Sequence, residues 1–529
     1  MKIFKKLVYP ISYKTILILI SIELILQSGC GSRIERISKP PDQFPDKQST
    51  PDLPFIKLHM KNGELYVLEK WEVNNDSVRV DGTGKLYDLN RATISSGKFK
   101  VPLNQIVIAE TNQINQSAGS FVLGALTVVT GIFTIVCLAN PKACFGSCPT
   151  FYASNGNDFI VQSEGFSSSI SPSLQEKDID ALYRIKLQSK NFTIQLKNEA
   201  YETHIIHSAN LLALPKPEGG RVFSSSEGEF YQAVNMREAI SVIAIEGDIS
   251  EKVCSFDGVE RFSQADSFNL AEKEIIELTF NPSASDSLGL IIASRQTLLT
   301  TFLFYQSLAY MGTKAGEFLA NIERNSNQFK PVLKNLQSTL GNIDVLIQNE
   351  KDEWIKVGEV GETGPIATDI KVVPLKNILK QSNTNSETKI QLRMAKGLWR
   401  IDYLAIADLL QKVTPVVISP STSSPQFSGN SEVVELLSNP DSALITFPGD
   451  QYLLNYQLPN DYYNYELFIE PNGYYLEWMR NEWLAEENSN KVYEMLFNPK
   501  QYYKDLAPEF KKIEAEMEET FWSSKYVYP

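Results

Sequence analysis

The chain has 529 residues, a formal net charge of −13, 43% hydrophobic and 11% aromatic residues. That aromatic content excludes a disordered chain, which could not bury enough apolar surface to offset its conformational entropy. The acidity excludes a protein that tracks nucleic-acid phosphates, so no nucleic acid is expected as partner.

The first 29 residues read as an export leader. Lys2, Lys5, Lys6 and Lys14 make a basic start, Ile16 to Leu26 an apolar run, and Gln27-Ser28-Gly29-Cys30 a small-residue cleavage site. The apolar run is about half of the ~20 residues that cross a bilayer as a helix. The segment resembles bacterial lipoprotein signals, which implies a mature chain beginning at Cys30 with diacylglycerol on its sulfur and usually an amide-linked acyl chain. The membrane, reached through lipidated Cys30, is then the first partner. Gly31 follows the cysteine in place of a retention aspartate, so delivery to the outer membrane of the cell envelope is expected. Loss of the leader takes the formal charge from −13 to −16 and leaves 500 residues, enough for two to four domains of ~100–200 residues each.

Residues 30–54 are polar and proline-rich, with Pro40, Pro41, Pro45, Pro51 and Pro54, and read as an extended tether. Residues 55–116 alternate in the strand manner between turns such as Lys61-Asn62-Gly63 and read as a small β domain. Residues 118–141 form an uncharged hydrophobic segment, of which Phe121–Ala139 is long enough to span a bilayer; a membrane insertion and a segment buried against the β domain stand as equal readings.

Residues 144–270 carry short strands separated by glycine and asparagine turns and read as a β-sandwich-like domain. Residues 271–480 read as a second, containing a helix over 295–322 with Leu298, Phe302, Tyr305, Leu308 and Phe318 on its apolar face, and late strands Leu444–Tyr456 and Tyr465–Glu477 that complete it. Gly312-Thr-Lys-Ala-Gly316 has the spacing of a membrane dimer motif, but Lys314 at its centre favours a soluble helix. Residues 481–529 read as a carboxy-terminal helical segment, with an acidic helix over Glu509–Phe521. The expected fold class is therefore a β-rich α+β multidomain protein.

The run Cys144-Phe-Gly-Ser-Cys-Pro-Thr-Phe-Tyr152 resembles a family of uncharacterised bacterial lipoproteins. So do Asn198-Glu-Ala-Tyr-Glu-Thr-His204, Ser294-Arg-Gln-Thr-Leu298, Gly361-Glu-Thr-Gly-Pro-Ile-Ala-Thr-Asp369 and Gly473-Tyr-Tyr-Leu-Glu-Trp478. The likeness implies export and architecture and supplies no activity.

The motifs of familiar chemistry do not occur. There is no His-Glu-x-x-His, no Gly-x-Ser-x-Gly elbow and no phosphate loop ending in Gly-Lys-Ser/Thr, and the chain has only three histidines. No catalytic residue, metal site or cofactor is therefore assigned. The one histidine cluster, His204 and His207 with Glu199 and Glu202, lies in a strand-like stretch where a spacing of three points side chains apart. In an oxidising compartment Cys137, Cys144, Cys148 and Cys254 are disulfide candidates with three complete pairings open. Two ligand-binding features remain. Glu362 and Asp369 belong to the compact Gly361–Asp369 turn. Tyr474, Tyr475, Glu477 and Trp478 belong to an aromatic and acidic group of the kind that stacks sugar rings and accepts their hydroxyl hydrogen bonds, although most such stripes are core. The reading is a lipid-anchored envelope protein acting in binding or envelope assembly, with envelope proteins or glycans as partners. The alternative is a glycan-binding protein or a hydrolase of envelope polysaccharide.

Overall fold

The computed structural model describes residues 33–39, 48–50, 55–60, 64–74, 78–87 and 93–115, and, with interruptions of which 319–325, 376–386 and 426–431 are the longest, residues 148–522. The leader, Cys30, most of the tether, the hydrophobic segment 118–141, Cys137, Cys144, Glu362 and Trp478 lie outside the described residues. The chain divides into two compact units.

The amino-terminal unit is a six-stranded antiparallel sheet. Ile56–Met60, Leu65–Asn74, Arg79–Tyr87 and Thr93–Pro102 form a meander, and Ile106–Asn115 returns beside Ile56–Met60. Alternate residues Ile56, Leu58 and Met60 point into a core with Leu68, Trp71, Val80 and Val101. Arg33–Lys39, expected as tether, is the edge strand on Ile106–Asn115. The prolines begin only at Pro40, so every residue of that strand keeps its backbone donor.

Among its described residues the second unit holds four sheets and three large cores. Its first outer sheet runs Thr422–Pro425, Gln451–Gln457, Asn191–Lys197, Thr150–Ser154, Phe159–Glu164. The first inner sheet is built on two long strands, Glu202–Pro215 and Tyr465–Glu477, with Asp180–Ala181 and Val416–Ile418 at its edges. The second inner sheet centres on Leu288–Gln296 between Asp369–Pro374 and Trp399–Val413, and Phe230–Glu238 pairs with both Trp399–Val413 and Arg221–Ser224. The second outer sheet contains Ser241–Ala244, Lys273–Phe280, Thr388–Ala395, Ile343–Gln348 and Trp354–Val360.

Successive strand residues point to opposite faces, so a strand with apolar residues at every position can serve two cores. Leu211 and Ala213 face the first outer sheet, whereas Leu212 and Leu214 face the second inner sheet. Leu467 and Ile469 make the same division with Phe468. On the other inner sheet Leu290 and Ile292 face the second outer sheet, and Ile291 and Ala293 face the first inner one. The two sandwiches are thus fused through a third core.

Strand assignment differs from expectation in a way that pairing alone decides. Gln451–Gln457 and Tyr465–Glu477 complete the first sandwich, on Asn191–Lys197 and Glu202–Pro215, and Arg221–Phe262 contributes strands to the second. The second sandwich is therefore inserted between the halves of the first. The central helix is Leu298–Met311 and begins three residues later than expected, because the strand Leu288–Gln296 continues past Arg295 to Gln296. Thr297 is extended and its hydroxyl accepts from Leu299 N–H, capping the helix. Gly312 ends it at φ +53°, where a Cβ would lie 2.5 Å from Glu487 Cβ; the small-residue motif is here a helix stop. The helices Ser326–Leu340, Ser489–Phe497 and Pro499–Trp522 pack with it over the second outer core. Among the described residues no helix is long and apolar enough to cross a membrane.

Candidate functional site

The aromatic and acidic residues near the carboxy terminus do not share a face. Tyr474 and Tyr475 are 0% and 2% exposed, and one ring lies beside His207, the other beside His204. Buried rings offer no plane to a sugar. Glu477 pairs in register with Glu202 at the end of the long strands. Glu466 takes a bidentate hydrogen bond from Arg221 at 2.7 and 2.9 Å, and Glu470 lies 3.5 Å from Lys177. Trp483 packs on Tyr305, with ring centres 4.9 Å apart.

His204 and His207 lie on opposite faces of their strand. His204 Nε2 is 3.4 Å from Glu202 Oε2, and His207 Nδ1 is 3.1 Å from the Ser442 carbonyl. Among the described residues no three His, Cys, Asp or Glu side chains are grouped to hold a metal. Cys148 is buried, Cys254 is half-buried, and no disulfide joins those two; pairings through Cys137 or Cys144 lie outside the described residues.

Within the Gly361–Asp369 turn, Gly364–Ala367 and Asp369 are buried at the seam of the two sandwiches. Glu164, on the first outer sheet, accepts Ile366 N–H at 2.6 Å. Arg295 donates to the Pro365 and Ile366 carbonyls at 2.9 and 3.3 Å, and Gln296 N–H donates to Gly364 O. Asp369 accepts Ala181 N–H at 3.2 Å and lies 2.6 Å from Lys371 Nζ, which donates to Ile179 O. Asp178 and Asp180 stand beside this pair, with Asp180 bonded to Ser163. Burial, more than any other cause, raises both carboxyls above the ordinary aspartate value, and Lys371 opposes the rise.

Next to this turn a small cleft opens at the seam of the sandwiches. Gln162, Arg184, Glu260, Arg295 and Thr368 are its polar walls, and Tyr183 and Phe256 are its aromatic ones. Its free volume is about 20 Å³. Arg295 grips Glu260 bidentately at 2.5 Å from Nε and Nη2, and Arg400 approaches the same carboxylate at 3.6 Å. Asp402 accepts from the Asp257 and Gly258 amides at 3.3 and 3.0 Å, and Arg184 lies 3.5 Å from its other oxygen. The Arg184 guanidinium also covers the Phe256 ring at 4.8 Å. Burial lowers the Arg184 pKa, with Asp402 opposing and Arg295 adding to the effect.

None of Gln162, Arg184, Glu260, Arg295, Arg400 or Asp402 was marked as a site by sequence reasoning. The signal was present in two places. Arg295 follows the apolar run Leu288–Ala293, and Arg400 and Asp402 interrupt Trp399–Ala407. A charge within a strand buried on both faces requires a partner, and the partners come from distant loops. The chain matches no protein-family model and no curated protein.

Proposed function

We propose that the chain is an exported lipoprotein, anchored through Cys30 at the envelope surface, whose body acts in binding or assembly. The observation that carries the binding part is the use made of its buried polar groups. Buried Glu164 and Arg295 tie their strands to the turn at Pro365–Ile366, Asp369 takes the Ala181 amide beside Lys371, and buried Glu466 pairs with half-buried Arg221 of the neighbouring sheet, an arrangement suited to a stiff body presenting a fixed surface. The anchoring part rests on the basic, apolar and small-residue order before Cys30.

Metabolic labelling with a fatty-acid analogue tests the anchor: label is expected on the wild type and lost in Cys30→Ala, and undiminished label on that variant overturns it. Affinity capture from detergent-solubilised envelopes tests the binding part, with a constant envelope protein expected. Release of sugar from envelope polysaccharide by the purified chain, abolished in Glu477→Gln while the fold persists, would instead establish the hydrolase alternative.

A further inference from the structure

The seam cleft contains a buried donor that, among the described residues, lacks an acceptor. Gln162 is 5% exposed, and its Nε2 has no hydrogen-bond partner. Arg184 pairs with Asp402 at 3.5 Å, also feels the charges of Arg295 and Glu260, and donates no closer hydrogen bond among the described residues. A guanidinium carries five N–H donors in a plane that matches two carboxylate oxygens. A buried donor left unmatched costs about 1–3 kcal/mol, so the Gln162 amide signals a missing acceptor, and the half-buried Arg184 guanidinium on the same cleft has donors to spare for it.

The charge of that acceptor follows from its surroundings. Arg184, Arg295 and Arg400 stand against Glu260 and Asp402, so the cluster carries one positive charge in excess. Glu260 is already engaged by Arg295, Arg400 and the Thr368 hydroxyl, and Asp402 by two backbone amides. Size then narrows the choice. A volume of about 20 Å³ exceeds what one water requires, so the end of a small polar group can enter. The Arg184 side chain is 30% exposed, so the rest of a larger ligand can extend outward past it.

We propose that the seam cleft binds one carboxylate, held by the Arg184 guanidinium and the Gln162 side-chain amide. Its source is either a small free acid or the carboxylate end of a peptide, and the chemistry at the cleft is the same for both. The proposal does not depend on lipidation, because the site is formed by the second unit alone.

Sodium acetate is the first probe, titrated into the purified full chain at constant ionic strength against chloride and followed by saturation-transfer NMR. Saturable binding is expected in the wild type. Arg184→Met should weaken it at least tenfold and Gln162→Leu about threefold to tenfold, with both variants melting cooperatively. Gln162→Leu keeps the test decisive should loss of Arg184 beside Asp402 impair folding. Absence of saturable binding in the wild type, or wild-type affinity in both variants, overturns the proposal. A short peptide with a free carboxy terminus, compared with its amide, separates the sources. Tighter binding of the acid than of acetate identifies a peptide end, and affinity equal to that of acetate identifies a small acid. Equal binding of acid and amide overturns recognition of a carboxylate.

Discussion

The Glu164 carboxylate accepts the backbone N–H of Ile366 at 2.6 Å, joining the first outer sheet to the turn that enters the second inner sheet. The contact sits over Gly364, which has φ +76° and whose Cβ would fall 2.6 Å from the same carboxylate oxygen. Glu164→Ala leaves a buried amide without an acceptor and should cost about 2–3 kcal/mol of unfolding free energy. Gly364→Ala adds left-handed strain and a clash, at a cost of about 1–3 kcal/mol. Urea denaturation measures both, and a loss under 0.5 kcal/mol in both variants would show that the turn holds itself.

Phe468 is fully buried between the inner sheets, with its ring 5.1 Å from Phe230 and 6.3 Å from Tyr183. Phe468→Ala should destabilise the second unit by about 3–5 kcal/mol. Because this core joins the sandwiches, both should unfold in one transition in the wild type. Hydrogen exchange that protects the strands of each sandwich to the same free energy is the expected result, and two separate plateaus would contradict fusion through this core.

Arg261 is 1% exposed and forms bidentate bonds to Glu274 at 2.9 and 2.7 Å and to Glu246 at 2.8 Å from each of two nitrogens. Arg261→Met strands the buried Glu274 carboxylate and should cost about 3–5 kcal/mol, whereas a companion Glu274→Met removes the orphan charge and recovers most of that loss. A double-mutant cycle by chemical denaturation gives the coupling; additive losses would mean that the two groups act independently.

Burial raises the Asp178 and Asp180 carboxyls, Asp180 further through Asp178 and Asp369, and Lys371 opposes in both. Carboxyls that hold protons more tightly folded than unfolded stabilise fully below the unfolded aspartate value of about 3.9, and that stabilisation is lost as pH rises through the raised values. Asp180→Asn, neutral at every pH, should therefore flatten the decline in stability above about pH 4 and gain on the wild type toward neutrality. Denaturation midpoints across this range measure it, and a parallel pH profile in the two proteins would exclude Asp180 from the titration.

The Thr297 hydroxyl accepts Leu299 N–H and donates to Gly397 O at 2.5 Å. Thr297→Ala should cost about 1–2 kcal/mol, and Thr297→Ser should recover most of it, because serine supplies the same cap. Thermal unfolding distinguishes the two, and equal losses would assign the effect to the methyl group.

Local chemistry is written in the sequence wherever a residue needs only its neighbours. Alternation in Lys273–Phe280 gives a half-buried strand, and the apolar face of Leu298, Phe302, Tyr305 and Leu308 gives a helix. These features require a few residues of context, because side-chain period and backbone φ are local quantities. The unbroken apolar runs Leu288–Ala293 and Leu211–Leu214 also mark strands, but a run without alternation leaves open which face meets which core. Tertiary structure decided that question. A ladder of N–H to C=O bonds can form between any two extended segments, so only global packing could place Tyr465–Glu477 beside Glu202–Pro215. The same packing gathered Gln162, Arg184, Glu260 and Arg295 at one seam from two sheets and two connecting segments, which no spacing along the chain could reveal.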